Sequence, residues 1–175
     1  MVFTSPVRLW LIPNAVLLAA MAVWGAVRYA QLPAQIPKHV GMQGVDAWTD
    51  RSIGSAFLLV FVYAGVTVLM VGCAELTLRV TPRDELPDTN TAPYAAGASE
   101  FLVNRPASRE SARRMARSLL LLNASVGVAL LVGCGILWRS ATDPDVPGWA
   151  YAGLLVPLLV GTAVTIAAAV RDRKD

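Results

Sequence analysis

One histidine and two cysteines are present in 175 residues, so the side chains that most often hold a transition metal or act as an activated nucleophile are scarce. Charge is scarce as well: 15% of the residues are Asp, Glu, Lys or Arg, against about 25% in a soluble domain. The scarcity is patterned, because residues 9–27, 53–73, 118–138 and 149–170 contain no charged residue. Each absence excludes something. A zinc site takes three or four ligands, and there is no HExxH, CxxC, Walker glycine loop or GxSxG. Without ionisable side chains inside the apolar runs, a proton-coupled carrier has no relay. A charged-ring pore would have to borrow its ring from the loops of several subunits. His39, Asp46, Asp50, Asp143 and Asp145 form a weak His/Asp set whose spacing lends a metal no support. The expectation is therefore a protein that is not an enzyme and carries no cofactor. No internal repeat and no low-complexity segment is present.

What is there is hydrophobic: 55% of the residues, in unbroken blocks. Each of the four runs is long enough for the ~30 Å hydrocarbon core of a bilayer. The predicted fold class is an all-α integral membrane protein with four transmembrane helices, 9–27, 53–73, 118–138 and 149–170, and an irregular extracellular cap loop at 28–52. Thirteen arginines stand against two lysines, among many Ala, Val and Gly. That bias fits GC-rich bacterial coding, so the expected location is a bacterial cytoplasmic membrane, crossed several times.

Eleven of the fifteen Lys and Arg lie on one side of the runs and four on the other. The positive-inside rule then predicts both termini inside and residues 28–52 outside. The basic balance is accounted for by topology, and no nucleic-acid partner is called for. Trp24, Tyr29, Trp138, Trp149 and Tyr151 gather at the predicted outer boundary, where aromatic rings anchor. Val23 and Gly25 offer a weak signal-cleavage site, but the run continues to Val27, beyond the usual ~7–15-residue signal core. The first helix is expected to stay uncleaved. Once the helices alternate direction, Cys73 and Cys134 differ in depth by roughly 20–25 Å, too far for a disulfide.

The organisation expected is an N-terminal hairpin domain with its cap (1–74), a cytoplasmic loop with a basic juxtamembrane helix (75–117), and a second transmembrane hairpin with a basic tail (118–175). Small residues stripe the helices: Ala15, Ala19, Ala22 and Ala26; Ser125, Ala129 and Gly133; Gly153, Pro157, Gly161 and Thr165. Such faces let backbones approach closely and fit a four-helix bundle or a homodimer equally. Pro157 predicts a kink. Asn14, Thr67, Asn123 and Thr165 fall at one depth near the inner ends. They are either polar residues tolerated near helix ends or a hydrogen-bonded layer across the bundle.

In the middle loop, TPRDELPDTNTAPYAAGASE (81–100) reads as irregular. RPASRESARRMARS (105–118) reads as a helix starting near Pro106 or Ser108 and running into the third span. Its Arg109, Arg113, Arg114 and Arg117 are expected against anionic lipid at the cytoplasmic face, or else as a docking surface for a partner.

Residues 29–52 are denser in signals. Leu32-Pro33, Ile36-Pro37, His39, Gly44, Asp46, Trp48 and Arg51-Ser52 stand in fixed order before an apolar helix. This pattern resembles the N-terminal domain, of unknown biochemical function, of SdpI-type bacterial membrane proteins (L-P-x-x-I-P-x-H, a Gly, D-x-aromatic, K-S). Val40 and Gly41 stand where relatives carry an aromatic and a polar residue, Arg51 replaces Lys, and the R-T turn of their second domain is missing. The resemblance implies a role in immunity against a self-made toxic peptide, or in membrane signalling, with a membrane-protein or peptide partner. An accessory subunit stabilising a larger transporter or complex is the alternative.

As residues, the X-Pro pairs hold Leu32 and Ile36 extended, and the segment is expected to fold over the helix ends with Ile36 and Trp48 as plugs. Thr49 or Asp50 is expected to cap the next helix. Three readings stay open for His39: a lock on the turn through Asp46 or a carbonyl, recognition of a ligand, or metal or catalytic chemistry.

Overall fold

The computed structural model describes residues 6–41, 44–86, 105–138 and 145–174. A 3-10 turn, Pro6–Trp10, leads into α1 (Leu11–Tyr29). Strands β1 (Gln35–Gly41) and β2 (Gly44–Asp50) follow, then a single helical turn α2 (Ile53–Ala56) and α3 (Leu58–Arg79). A short 3-10 turn at Arg83–Glu85 precedes α4 (Arg109–Leu137) and α5 (Gly148–Asp172). Helices α1, α3, α4 and α5 are each long and apolar enough to cross a membrane.

Residues 28–52 are not an irregular loop, and the fold is not purely helical: the cap is an antiparallel two-stranded hairpin. Prolines and glycines obscured it. Proline is confined to edge strands and bulges, but a two-stranded sheet consists of edges, so Pro37 can sit opposite Trp48 without forfeiting an essential donor. Gly44 turns the chain at φ 108°, the left-handed region where a Cβ is strained. Two further boundaries move. The cap of the next helix is Ser52, in a reciprocal box with Ser55, and neither Thr49 nor Asp50. The second span is interrupted at Phe57 before α3 begins.

Helix α4 is continuous over 29 residues from a Ser108 N-cap, which accepts from the Ser111 amide at 3.2 Å, and Glu110 in its first turn suits the helix dipole. α4 is also the central element: α1, α3 and α5 all pack along it, whereas α3 and α5 make no comparable contact with each other. The glycines of α5 explain its fit. A Cβ on Gly161 would lie 2.7 Å from Ser125 Oγ, and one on Gly153 3.1 Å from Val132 Cγ2, so this small-residue face is used against α4 of the same chain. α5 remains helical through Pro157. On α1, by contrast, Ala15, Ala19 and Ala26 are exposed.

Two apolar clusters mark the two ends of the bundle. Met21, Leu32, Ile36, Ala56, Val60, Tyr63, Cys134 and Trp138 form one beneath the hairpin; Val7, Ala74, Ala116 and Leu120 form the other. The plugs from the cap are thus Leu32 and Ile36, and Trp48 is only half-buried outside the cluster. Trp138 is the aromatic centre. Its indole donates to the Ala56 carbonyl at 2.8 Å, meets Trp24 edge-on at 5.3 Å and lies where any side chain on Gly25 would collide with it. Both cysteines are free thiols.

Candidate functional site

The hairpin is fastened to the bundle by polar contacts as well as plugs. Arg51 donates to the Leu32 carbonyl at 2.5 Å and lies 5.7 Å over the Tyr29 ring, while its amide donates to the Ala34 carbonyl at 2.8 Å. This holds the turn containing Pro33, which is half-buried. Arg28 donates to the Trp138 carbonyl at 3.4 Å and to Gln31 at 3.1 Å. At the far end of the hairpin, the Tyr151 hydroxyl of α5 donates to the Gly41 carbonyl at 2.9 Å. One strand pair therefore bridges α1 and α5.

The register carries two offset bulges. Pro37 pairs with Trp48 and His39 with Ala47, so Lys38 is the extra residue of β1. His39–Ala47 is followed by Val40–Val45, so Asp46 is the extra residue of β2. Bulges re-aim side chains, and here each has a destination. Asp46 reaches back to His39, Nδ1 to Oδ1 2.6 Å, with both side chains largely exposed. Lys38 lines a cavity of about 290 Å³ between the hairpin and the helices. Pro37, Val40 and Thr49 form the roof of that cavity, Ser55, Leu58 and Leu59 one wall, Gly133, Ile136 and Leu137 the floor, and Leu154 of α5 the other wall. It exists because α3 and α5 both lie on α4 without closing on each other. Its size is at the lower limit of ligand pockets, about 300 Å³.

The opposite end is built from charge. Asp172, 3% exposed, accepts at Oδ1 from the Ala107 amide at 2.8 Å and from the Ser111 hydroxyl. Arg83 donates to the Asp172 backbone carbonyl at 3.0 Å and lies 3.7 Å from its carboxylate. The Arg83 and Asp84 amides donate to the carbonyls of Pro106 and Ala107, and Arg109 grips Glu85 with two bonds of 2.6 and 2.7 Å. Arg113, Arg114 and Arg117 with Glu110 surround a shallow polar hollow of about 330 Å³ on α4. Arg109, spent on Glu85, is separate from that trio.

Of the four polar residues expected at one depth, three are joined. Asn123 donates through Nδ2 to Asn14 Oδ1 at 2.7 Å and to Thr67 Oγ1 at 3.0 Å. Asn14 donates to the carbonyls of Trp10 and Leu120 at 2.9 and 3.2 Å. Thr165 instead bonds the backbone of Gly161 at 2.9 Å and Ser118 at 3.4 Å. A fourth member was not anticipated: Tyr63 crosses the backbone of Gly127 to donate to Asn14 Oδ1 at 3.1 Å.

Lys38, Asp172, Ser111 and Arg83 were likewise missed. Lys38 is a lone charge in β1, and the other three are a lone charge or serine close to a helix end. Among the described residues no three His, Cys, Asp or Glu converge; Arg139, Asp143 and most of 81–100 lie outside the described residues.

A family model described as a domain of unknown function (DUF1648) matches residues 16–63. The segment runs from within α1, through the hairpin and α2, to Tyr63 of α3, and so contains the whole proline–histidine–arginine motif. No curated protein and no solved structure matches the chain.

Proposed function

We propose that this chain is a non-enzymatic membrane protein that recognises a membrane-active ligand at the cavity beneath its hairpin, in an immunity or signalling role of the SdpI kind. The observation that supports this reading is the cavity itself. A hairpin fixed at both ends, to α1 by Arg51 over the Tyr29 ring and to α5 by Tyr151, covers an apolar recess bounded by three of the four long helices. In this reading the hairpin faces outward and the arginine end faces the cytoplasm, as the excess of Lys and Arg at that end favours. Arg113, Arg114 and Arg117 then lie against anionic lipid headgroups, each charge contributing on the order of 1 kcal/mol.

Two experiments test it. Cysteine at Gln35 should react with an impermeant thiol reagent on intact cells, and cysteine at Lys174 only after permeabilisation; the reverse pattern inverts the topology. A photocrosslinking residue at Val40 should capture a small ligand in the native membrane. Capture of a large membrane subunit from Ala19 of α1, with nothing captured from Val40, would favour the accessory-subunit reading. The exposed alanine face of α1 is the observation behind that second reading.

A further inference from the structure

Within the reading of the cavity as a ligand site, we infer the chemistry of the occupant: a single-chain amphiphile with an anionic head, its chain in the cavity and its head at Lys38. Charge bookkeeping at the hairpin end singles out this lysine. The Arg28 guanidinium is committed to Gln31 and the Trp138 carbonyl, and the Arg51 guanidinium to the Leu32 carbonyl and the Tyr29 ring. The neighbouring His39 already holds Asp46. Lys38 is exposed and makes no ion pair among the described residues. It is also the residue that β1 leaves out of the ladder between Pro37 and His39. A bulge that frees one lysine and sets it on the lining of an apolar cavity is a device for aiming charge at that cavity.

The lining specifies the rest. Apart from Lys38, Thr49 and Ser55, every lining residue is apolar or glycine. The Ser55 hydroxyl already donates to the Asp50 carbonyl at 2.8 Å, so Lys38 and Thr49 are the groups placed to meet a polar head. Leu58 is both part of the wall and 55% exposed, so the cavity opens sideways along an apolar helix face. A lipid-soluble chain can slide in there without crossing water. Gly133 keeps the floor low: a Cβ there would press on Leu59 Cδ1 at 3.1 Å and lie 3.9 Å from Leu154 Cδ2. The volume suits one aliphatic chain.

The test uses the full chain in zwitterionic nanodiscs and two photoactivatable sixteen-carbon probes, one with a carboxylate head and one with a trimethylammonium head. Adducts are mapped by mass spectrometry. The carboxylate should label residues 55–59 and 133–137 about fivefold more than the ammonium, the upper range for one partly exposed ion pair. Lys38→Glu should reverse that preference, and Leu58→Trp should block both probes while leaving the thermal midpoint of the protein unchanged. Equal labelling by the two heads, or a preference indifferent to Lys38→Glu, overturns the anionic assignment and leaves the cavity reading standing. If neither probe enters and Val40 captures a peptide in the native membrane, the amphiphile is overturned in favour of a peptide ligand. If neither probe enters and Val40 captures nothing, both readings fall.

Discussion

The two ends of this bundle are closed by different physics. Beneath the hairpin, closure comes from a strand ladder and two apolar plugs, Leu32 and Ile36, around the buried Trp138. At the arginine end it comes from one buried carboxylate, Asp172, on which an amide, a hydroxyl and a guanidinium converge. Apolar plugs are non-directional, so a hairpin can sit on them and still leave a gap between α3 and α5. A buried carboxylate tolerates no gap, because each unpaired partner costs its full desolvation. The arginine end is therefore the anchor of the molecule and the hairpin end its adaptable part.

The sharpest way to break this contrast is Asp172→Leu. It orphans the Ala107 amide and the Ser111 hydroxyl, while half-exposed Arg83 keeps its bond to the backbone carbonyl. The cost should be about 1–3 kcal/mol for each orphaned group, read as a fall in the thermal midpoint in detergent. A neutral outcome would mean that the arginine end is not locked by Asp172. Next comes Gly25→Val, which drives a side chain into Trp138 and Phe57. Overpacking of this kind should cost about 1–3 kcal/mol and should shift Trp138 fluorescence. An unchanged spectrum with unchanged stability would show that the hairpin end relaxes freely.

Between the two ends, the Asn14–Asn123 bond can be measured by a double-mutant cycle with leucine at each position. The expected coupling is about 0.6 kcal/mol, and at most about 1.7; zero coupling would remove the polar layer from the account. The smallest effect should come from Asp46→Ala. Its contact with His39 is exposed, so stability should change by less than about 1 kcal/mol. A larger loss would mean that the hairpin is held by this pair and not by its plugs.

How much of this was legible in the chain differs from element to element. The four spans were, because a charge-free run of some twenty residues leaves the backbone no option in a bilayer except to bond to itself. Helix α4 was readable back to Ser108, because a capping serine precedes a run of helix formers. The hairpin was not. Pro37 and the glycines that ordinarily break strands are tolerated at an edge and at a turn, and a bulge shifts the alternation that would reveal a strand. The joining of Asn14 to Asn123 could be framed only as one of two readings. Depth along a helix follows from counting residues, but facing requires the rotation of each helix about its axis.

The cavity shows the same division. The chain alone dictates that a histidine, a lysine and two X-Pro pairs lie between the first two spans, since order and hydropathy are properties of the sequence. Which of those residues lines the cavity depends on the register. With Lys38 in the bulge of β1 and Asp46 in that of β2, His39 is satisfied by a carboxylate and Lys38 is left on the cavity. Asp172 likewise reads as one more charge in a basic tail until α5 packs along α4 and brings it to Ser111. Order and hydropathy are written along the chain, whereas register is settled by the pairing of the two strands, and helix rotation by packing between residues 49 to 109 positions apart.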